Sequence, residues 1–126
     1  MGFQAVYAYS QKGRRIVKLY GLKNCDSCKK ALREVKNAGK NIEFIDIRGN
    51  CMSFDLIQKW LDRHGDGVLV NRKSTTWRNL SHKDRQTPAP ILLQAHPTLI
   101  KRPIIVVGHQ SFIGWNVDVK SALGIA

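Results

Sequence analysis

No stretch of this 126-residue chain approaches the roughly 20 consecutive apolar residues that a bilayer-spanning helix needs, so a membrane-embedded protein is not expected. A secretory leader is not evident either: the apolar Phe3 to Tyr9 precedes the basic Lys12, Arg14 and Arg15, the reverse of a signal peptide's order. Met1-Gly2 is followed by Val6, where N-myristoylation wants Ser or Thr. Cysteine is limited to three residues, an odd number, which argues against a secreted disulfide framework. These absences point to a cytoplasmic protein with reduced thiols. Acidic residues are scarce as well: 9 Asp and Glu stand against 21 Lys and Arg, a net charge of +12. Residues 1 to 15 hold three bases and no acid, leaving 18 bases against 9 acids, or +9, for the rest. The bases are spread, with no run of five and no aromatic-interleaved basic motif, so specific nucleic-acid binding is not expected. A basic surface equally attracts anionic small molecules such as glutathione, or an acidic partner protein.

What is present supports a globular protein. Apolar residues make up 43% and charged residues 24%, enough to bury a core. The length suits one domain. Residues 1–15 show no periodicity and read as an N-terminal extension; residues 16–126 read as a single domain.

The central stretch is Tyr20-Gly21-Leu22-Lys23-Asn24-Cys25-Asp26-Ser27-Cys28-Lys29-Lys30. Apolar Ile16 to Tyr20 leads in as a strand. Ala31, Leu32 and Val35 lead out at helical spacing. Two cysteines three apart therefore stand at the start of a helix, where they can share a face. Unbonded amides and partial positive charge at a helix N-terminus favour a thiolate. The first cysteine, nearer those amides, is expected to be the more exposed and more acidic. A Cys-x-x-Cys at a strand-to-helix junction is a signature of thioredoxin-like redox sites. Half of a zinc site is an alternative, but only Cys51 and four scattered histidines remain, with no second close pair. Burial as small hydrophobes is another, opposed by the flanking Lys23, Asn24, Asp26, Ser27, Lys29 and Lys30.

Further along, the pattern predicts a helix from about Asp26 to Ala38 closed by Gly39, a strand over Ile42–Ile47, and a helix carrying Phe54, Leu56, Ile57, Trp60 and Leu61 capped by Ser53. Strand, helix, strand in some 30 residues is a βαβ unit with parallel pairing. A helix follows around Ile91 to Ala95, with Pro90 in its first turn. Ile104 to Gly108 is a strongly apolar strand. A turn at His109-Gln110 and a hairpin partner at Ser111 to Trp115 come next, then a short helix over Val117–Leu123. The fold class is α/β: a central mixed sheet with flanking helices, in thioredoxin topology with a helical insertion.

These residues resemble the ArsC/Spx group of thioredoxin-like proteins, and its YffB-type members in particular. The matching stretches are Leu19 to Asp26, Asn71-Arg72 with Thr75-Thr76-Trp77-Arg78-Asn79-Leu80, Ile100 to Ile104, and Gly114-Trp115-Asn116. The resemblance implies that Cys25 is the nucleophile, that Arg72 and Arg102 hold an oxyanion or carboxylate, and that Pro103 is a cis-proline beside the cysteines. A guanidinium offers such groups a rigid fork of donors, and its charge lowers a nearby thiol's pKa. Lys23 and Asn24 would also contact an anionic substrate. The sequence departs from the group at two places. The third arginine of the arsenate reductases is missing from Phe112 to Asn116, which weighs against arsenate reduction. Cys28 is shared with the Spx regulators and is absent from the glutathione-coupled reductases.

Two functions follow. One is a glutathione- or thioredoxin-coupled thiol reductase, monomeric, without a bound cofactor, using Cys25 with Cys28 as resolving thiol. Glutathione would be its co-substrate, or thioredoxin or glutaredoxin its reductant. The other is an Spx-like regulator that binds the RNA polymerase α-subunit and is switched by a Cys25–Cys28 disulfide. Cys51 is read as structural or incidental, and the tryptophans as core or pocket-wall residues.

Overall fold

A four-stranded mixed sheet forms because three apolar segments, Val17–Gly21 (β1), Ile104–Val107 (β3) and Ile42–Asp46 (β2), pair side by side in a computed structural model that describes residues 16–49 and 52–125. The N-terminal extension and Cys51 lie outside the described residues. The strand order is β2-β1-β3-β4, with β4 at Gln110–Ile113. β1 runs parallel to β2, with Leu19 opposite Phe44, and antiparallel to β3, with Tyr20 opposite Ile104. This is the expected thioredoxin-like α/β architecture.

The described residues divide into two units: residues 16–46 together with 102–125, and the described residues between 47 and 101. In the first unit, α1 (Asp26–Asn37) buries Cys28, Ala31 and Val35, a spacing that puts all three on one face. That face joins Val17, Leu19, Ile105 and Val107 of the sheet, and Val119 and Leu123 at the C-terminal end, in one core cluster. Alternation along each strand sends these sheet residues to the same side. The last helix, α6 below in chain order, covers Val117–Ala122 and is capped by Asn116, whose Oδ1 accepts from the Val119 N–H at 3.0 Å.

The second unit is helical. It contains α2 (Phe54–His64), the single turn α3 (Asp66–Leu69), α4 (Thr75–Asn79) and α5 (Ala89–Ala95). Ser53 caps α2 as expected, accepting from Leu56 N–H at 3.1 Å. Ile57, Trp60 and Leu61 of α2 and Leu92 and Leu93 of α5 are buried. The Gln94 side chain donates to the Met52 carbonyl at 3.0 Å. Asn71 N–H bonds to Leu99 O, and Lys101 N–H to Leu69 O, each at 2.8 Å, around a Val70–Ile100 bridge.

Two local expectations shift. The hairpin turn is Gly108-His109, not His109-Gln110, because Val107 pairs with Gln110; Gly108 takes φ 61, the leading-glycine form of a two-residue hairpin loop. β4 accordingly ends at Ile113. Apolar Val68 and Leu69 close the α3 turn, and Val70 forms the isolated bridge with Ile100. Helix α4 carries no periodic signal in its five residues; its one local sign is Ser74, whose Oγ accepts from Trp77 N–H at 3.1 Å. Among the described residues, no helix is long and apolar enough to cross a membrane.

Candidate thiol site

Cys25 stands at the N-cap of α1, with extended backbone angles of φ −93 and ψ 123. The strand ends at Gly21, and a tight turn closes when Cys25 N–H donates to Leu22 O at 3.2 Å. Lys29 N–H then donates to Cys25 O at 2.9 Å, the first bond of the helix. The helix has no conventional side-chain cap. The Cys25 sulfur occupies that place, close to the Cys28 N–H.

The spacing separates the two thiols. Cys25 is partly exposed and Cys28 is buried, as expected of the first and second cysteine. Cys28 turns inward because it shares a face with Ala31 and Val35, and its Sγ lies against the backbone of Gly21. A Cβ at position 21 would collide with that sulfur and approach Leu19 Cδ2 to 3.2 Å and Cys28 Cβ to 3.3 Å. Glycine is required at position 21 by close approach; its φ is not in the left-handed region.

The antiparallel register brings the other part of the site. With Tyr20 opposite Ile104, the residues that follow β1 meet the residues that precede β3. Those are Arg102 and Pro103, joined by a cis peptide bond, with Pro103 buried and its carbonyl accepting from Gly114 N–H at 2.8 Å. Arg102 hydrogen-bonds the Cys25 sulfur and adds positive charge beside it.

The electrostatics set the thiols apart. Burial pushes the Cys25 thiol upward, but the Cys28 N–H, the Cys28 side chain and Arg102 together outweigh it and hold Cys25 below its ordinary value. Burial also acts on Cys28, and although the Leu22 N–H works in the other direction, the neighbouring Cys25 charge helps push Cys28 up to about 12. The arrangement favours ionisation at Cys25 over Cys28, which holds its proton the more firmly of the two.

Of the other expected site residues, Lys23 and Asn24 lie exposed in the turn before Cys25. Arg72 belongs to the second unit, where its guanidinium lies over the Trp77 ring, 5.3 Å from the centroid. Arg85, not singled out by sequence, shares the ring at 5.4 Å. It also donates to Trp77 O and Arg78 O, each at 3.2 Å. No periodicity links Arg85 to Trp77; the turn at Asp84–Gln86, which follows α4, brings them together. Another link unseen in the sequence involves Trp115, whose Nε1–H donates to Glu34 Oε1 at 3.3 Å, while Lys120 Nζ pairs with the same oxygen at 2.9 Å. Lys120 first, then Trp115, hold the Glu34 carboxyl below its usual range. Among the described residues, no three His, Cys, Asp or Glu side chains gather as a metal site.

A Cys-x-x-Cys at the head of α1, facing a buried cis-proline at the start of an antiparallel strand, defines a thioredoxin-like protein with a paired-thiol site. The ArsC family model matches residues 20–122. The chain belongs to the ArsC family. It is 37% identical over 105 residues to an uncharacterised protein of Haemophilus influenzae, covering 80% of this chain and 92% of that one. It is 28% identical over 110 residues to the global transcriptional regulator Spx of Bacillus subtilis, covering 82% of each. Among solved structures it is similar to a YffB protein, with a TM-score of 0.79 at 29% identity, covering 85% of this chain and 97% of that one.

Proposed function

We propose that the protein is a cytoplasmic thiol–disulfide reductase coupled to glutathione or thioredoxin, with Cys25 as its nucleophile. The observation that carries this reading is the asymmetry of the pair: Arg102 and the Cys28 N–H favour the Cys25 thiolate, while Cys28 keeps its proton. The thiolate, not the thiol, is the nucleophile. Cys25 S⁻ attacks one sulfur of a disulfide, the old S–S bond breaks, and the displaced thiolate leaves with its electron pair. Cys25 is then held in a mixed disulfide.

Forming that mixed disulfide removes the negative charge that helps hold the Cys28 proton. Cys28 then deprotonates more readily and can attack the Cys25 sulfur, releasing the second product as a thiol and leaving a Cys25–Cys28 disulfide. Two electrons from glutathione, or from thioredoxin or glutaredoxin, restore the dithiol. Arg102 stabilises the thiolate and, with Lys23 and Asn24, draws in an anionic group such as a glutathione carboxylate. The same role is assigned to Arg72 on the Asn71-Arg72 and Thr75–Leu80 sequence pattern.

Mass spectrometry after treatment with oxidised glutathione tests this. A glutathione adduct on Cys25 that accumulates in Cys28→Ser and passes on to a Cys25–Cys28 disulfide in the wild type, both lost in Cys25→Ser together with turnover, is the expected result. A Cys25 pKa at or above the unperturbed thiol value of about 8.5, or full activity in Cys25→Ser, overturns it.

The second reading is an Spx-like regulator, favoured by the similarity to Spx and by the presence of Cys28. It predicts capture of the RNA polymerase α-subunit that differs between oxidised and reduced protein; no capture in either state ends it. Arsenate reduction is disfavoured by the lack of an arginine in Phe112 to Asn116.

A further inference from the structure

Beside the thiol pair lies a cavity of about 260 Å³, partly open to solvent, whose walls are Leu22, Leu32, Phe44 and Cys28, with Lys23 and Lys29 also lining it. All six residues belong to the first unit. Its walls are almost wholly apolar, and both lysines are exposed. Neither lysine is engaged in an ion pair among the described residues.

We propose that this cavity is a binding site for a small amphipathic carboxylate, its apolar chain against Leu22, Leu32, Phe44 and Cys28 and its carboxylate between Lys23 and Lys29. Three observations lead there. The apolar walls exposed to water favour an apolar occupant. The two unpaired ammonium groups select an anion over a neutral or cationic head group. The volume falls below the roughly 300 Å³ at which drug-sized pockets begin, so the occupant is a short chain or a single ring. The cavity shares Lys23 with the thiol site, but Cys25 is not among its lining residues, and the proposal does not depend on what Cys25 attacks.

Titration with octanoate, followed by amide chemical shifts, tests it, with octanol and octylamine as probes of the same length and different charge. Saturable shifts centred on Leu22, Lys23, Lys29, Leu32 and Phe44 are expected. Octylamine should bind at least about tenfold more weakly than octanoate. The double variant Lys23→Gln, Lys29→Gln should weaken octanoate about three- to tenfold, in line with two exposed charge contacts, and leave octanol unchanged. Leu32→Trp, which fills the cavity, should abolish binding of all three; if that variant does not fold, the wild-type series still decides. Cys25→Ser should bind octanoate as the wild type does, which separates this site from the thiol chemistry. The proposal is overturned by an absence of saturable shifts, by shifts centred elsewhere, by equal binding of octylamine, by indifference to the lysine substitutions, or by loss of binding in Cys25→Ser.

Discussion

Replacing Gly21 with alanine puts one methyl group into the space that the Cys28 sulfur occupies. The new Cβ collides with Cys28 Sγ and stands 3.2 Å from Leu19 Cδ2 and 3.3 Å from Cys28 Cβ. Leu19 Cδ2 is the end of a flexible side chain and can yield by tenths of an ångström. The sulfur has less room, because Cys28 is 1% exposed and packed in the core cluster. Overpacking of this kind costs about 1–3 kcal/mol. Alanine in place of glycine also narrows the unfolded ensemble, which offsets about 0.4–1 kcal/mol. A net loss of about 1–2 kcal/mol is expected. With a urea m-value of about 1–3 kcal/mol/M, the denaturation midpoint of the reduced protein falls by roughly half to one molar at unchanged slope. The decisive measurement is the double-mutant cycle with Cys28→Ala. Removing the sulfur removes the main clash, so Gly21→Ala should cost about 1 kcal/mol less in that background. A Gly21→Ala protein as stable as the wild type refutes the packing argument, as does an equal loss with and without the Cys28 sulfur.

Other outcomes follow from the same geometry. Arg102→Gln should raise the Cys25 pKa, seen as thiolate ultraviolet absorbance appearing at higher pH; an unmoved titration contradicts the role given to Arg102. Unfolded, the Cys28 thiol loses its proton near pH 9, whereas folded it keeps it to about 12. The unfolded state thus holds fewer protons across that window, and stability falls as pH rises by up to about 1.4 kcal/mol per pH unit; urea denaturation at pH 9 to 11 should show the wild type losing more than Cys28→Ala, and equal losses contradict the burial argument. Ser53→Ala should cost about 0.5–2 kcal/mol by removing the α2 cap; a midpoint unchanged from wild type shows that cap to be idle.

The elements with strong local signals were legible from sequence. The apolar run into Gly21, the Cys28-Ala31-Val35 face, the Ser53 cap and Gly39 at the end of α1 each act within a few residues, and each predicts an observed feature. The turn is read one residue late, at His109-Gln110, because Gly108 is counted as the end of the strand, whereas it is the first residue of the loop and Val107 pairs with Gln110. Helix α4 is too short to show a period. The meeting of Cys25 with Arg102 spans most of the chain and depends on the register of β1 against β3, so it was readable only through the family resemblance. The family-like stretches include Arg72, Trp77 and Trp115, but no local pattern shows that Arg72 and Arg85 meet the Trp77 ring or that Trp115 and Lys120 meet Glu34.

That last group binds a length of helix to the thiol pair. Glu34 lies nine residues beyond Cys25 on a single uninterrupted helix, about 13 Å along its axis. An α-helix of twelve residues moves as a rod, so a grip at one end sets the angle at the other. Trp115 and Lys120, both from the C-terminal part of the chain, thereby hold the far end of the helix whose other end carries the two sulfurs. The inheritance of such a lever is joint: in a relative where position 34 loses its carboxylate, the partners at 115 and 120 have no reason to persist, and the three positions should change together.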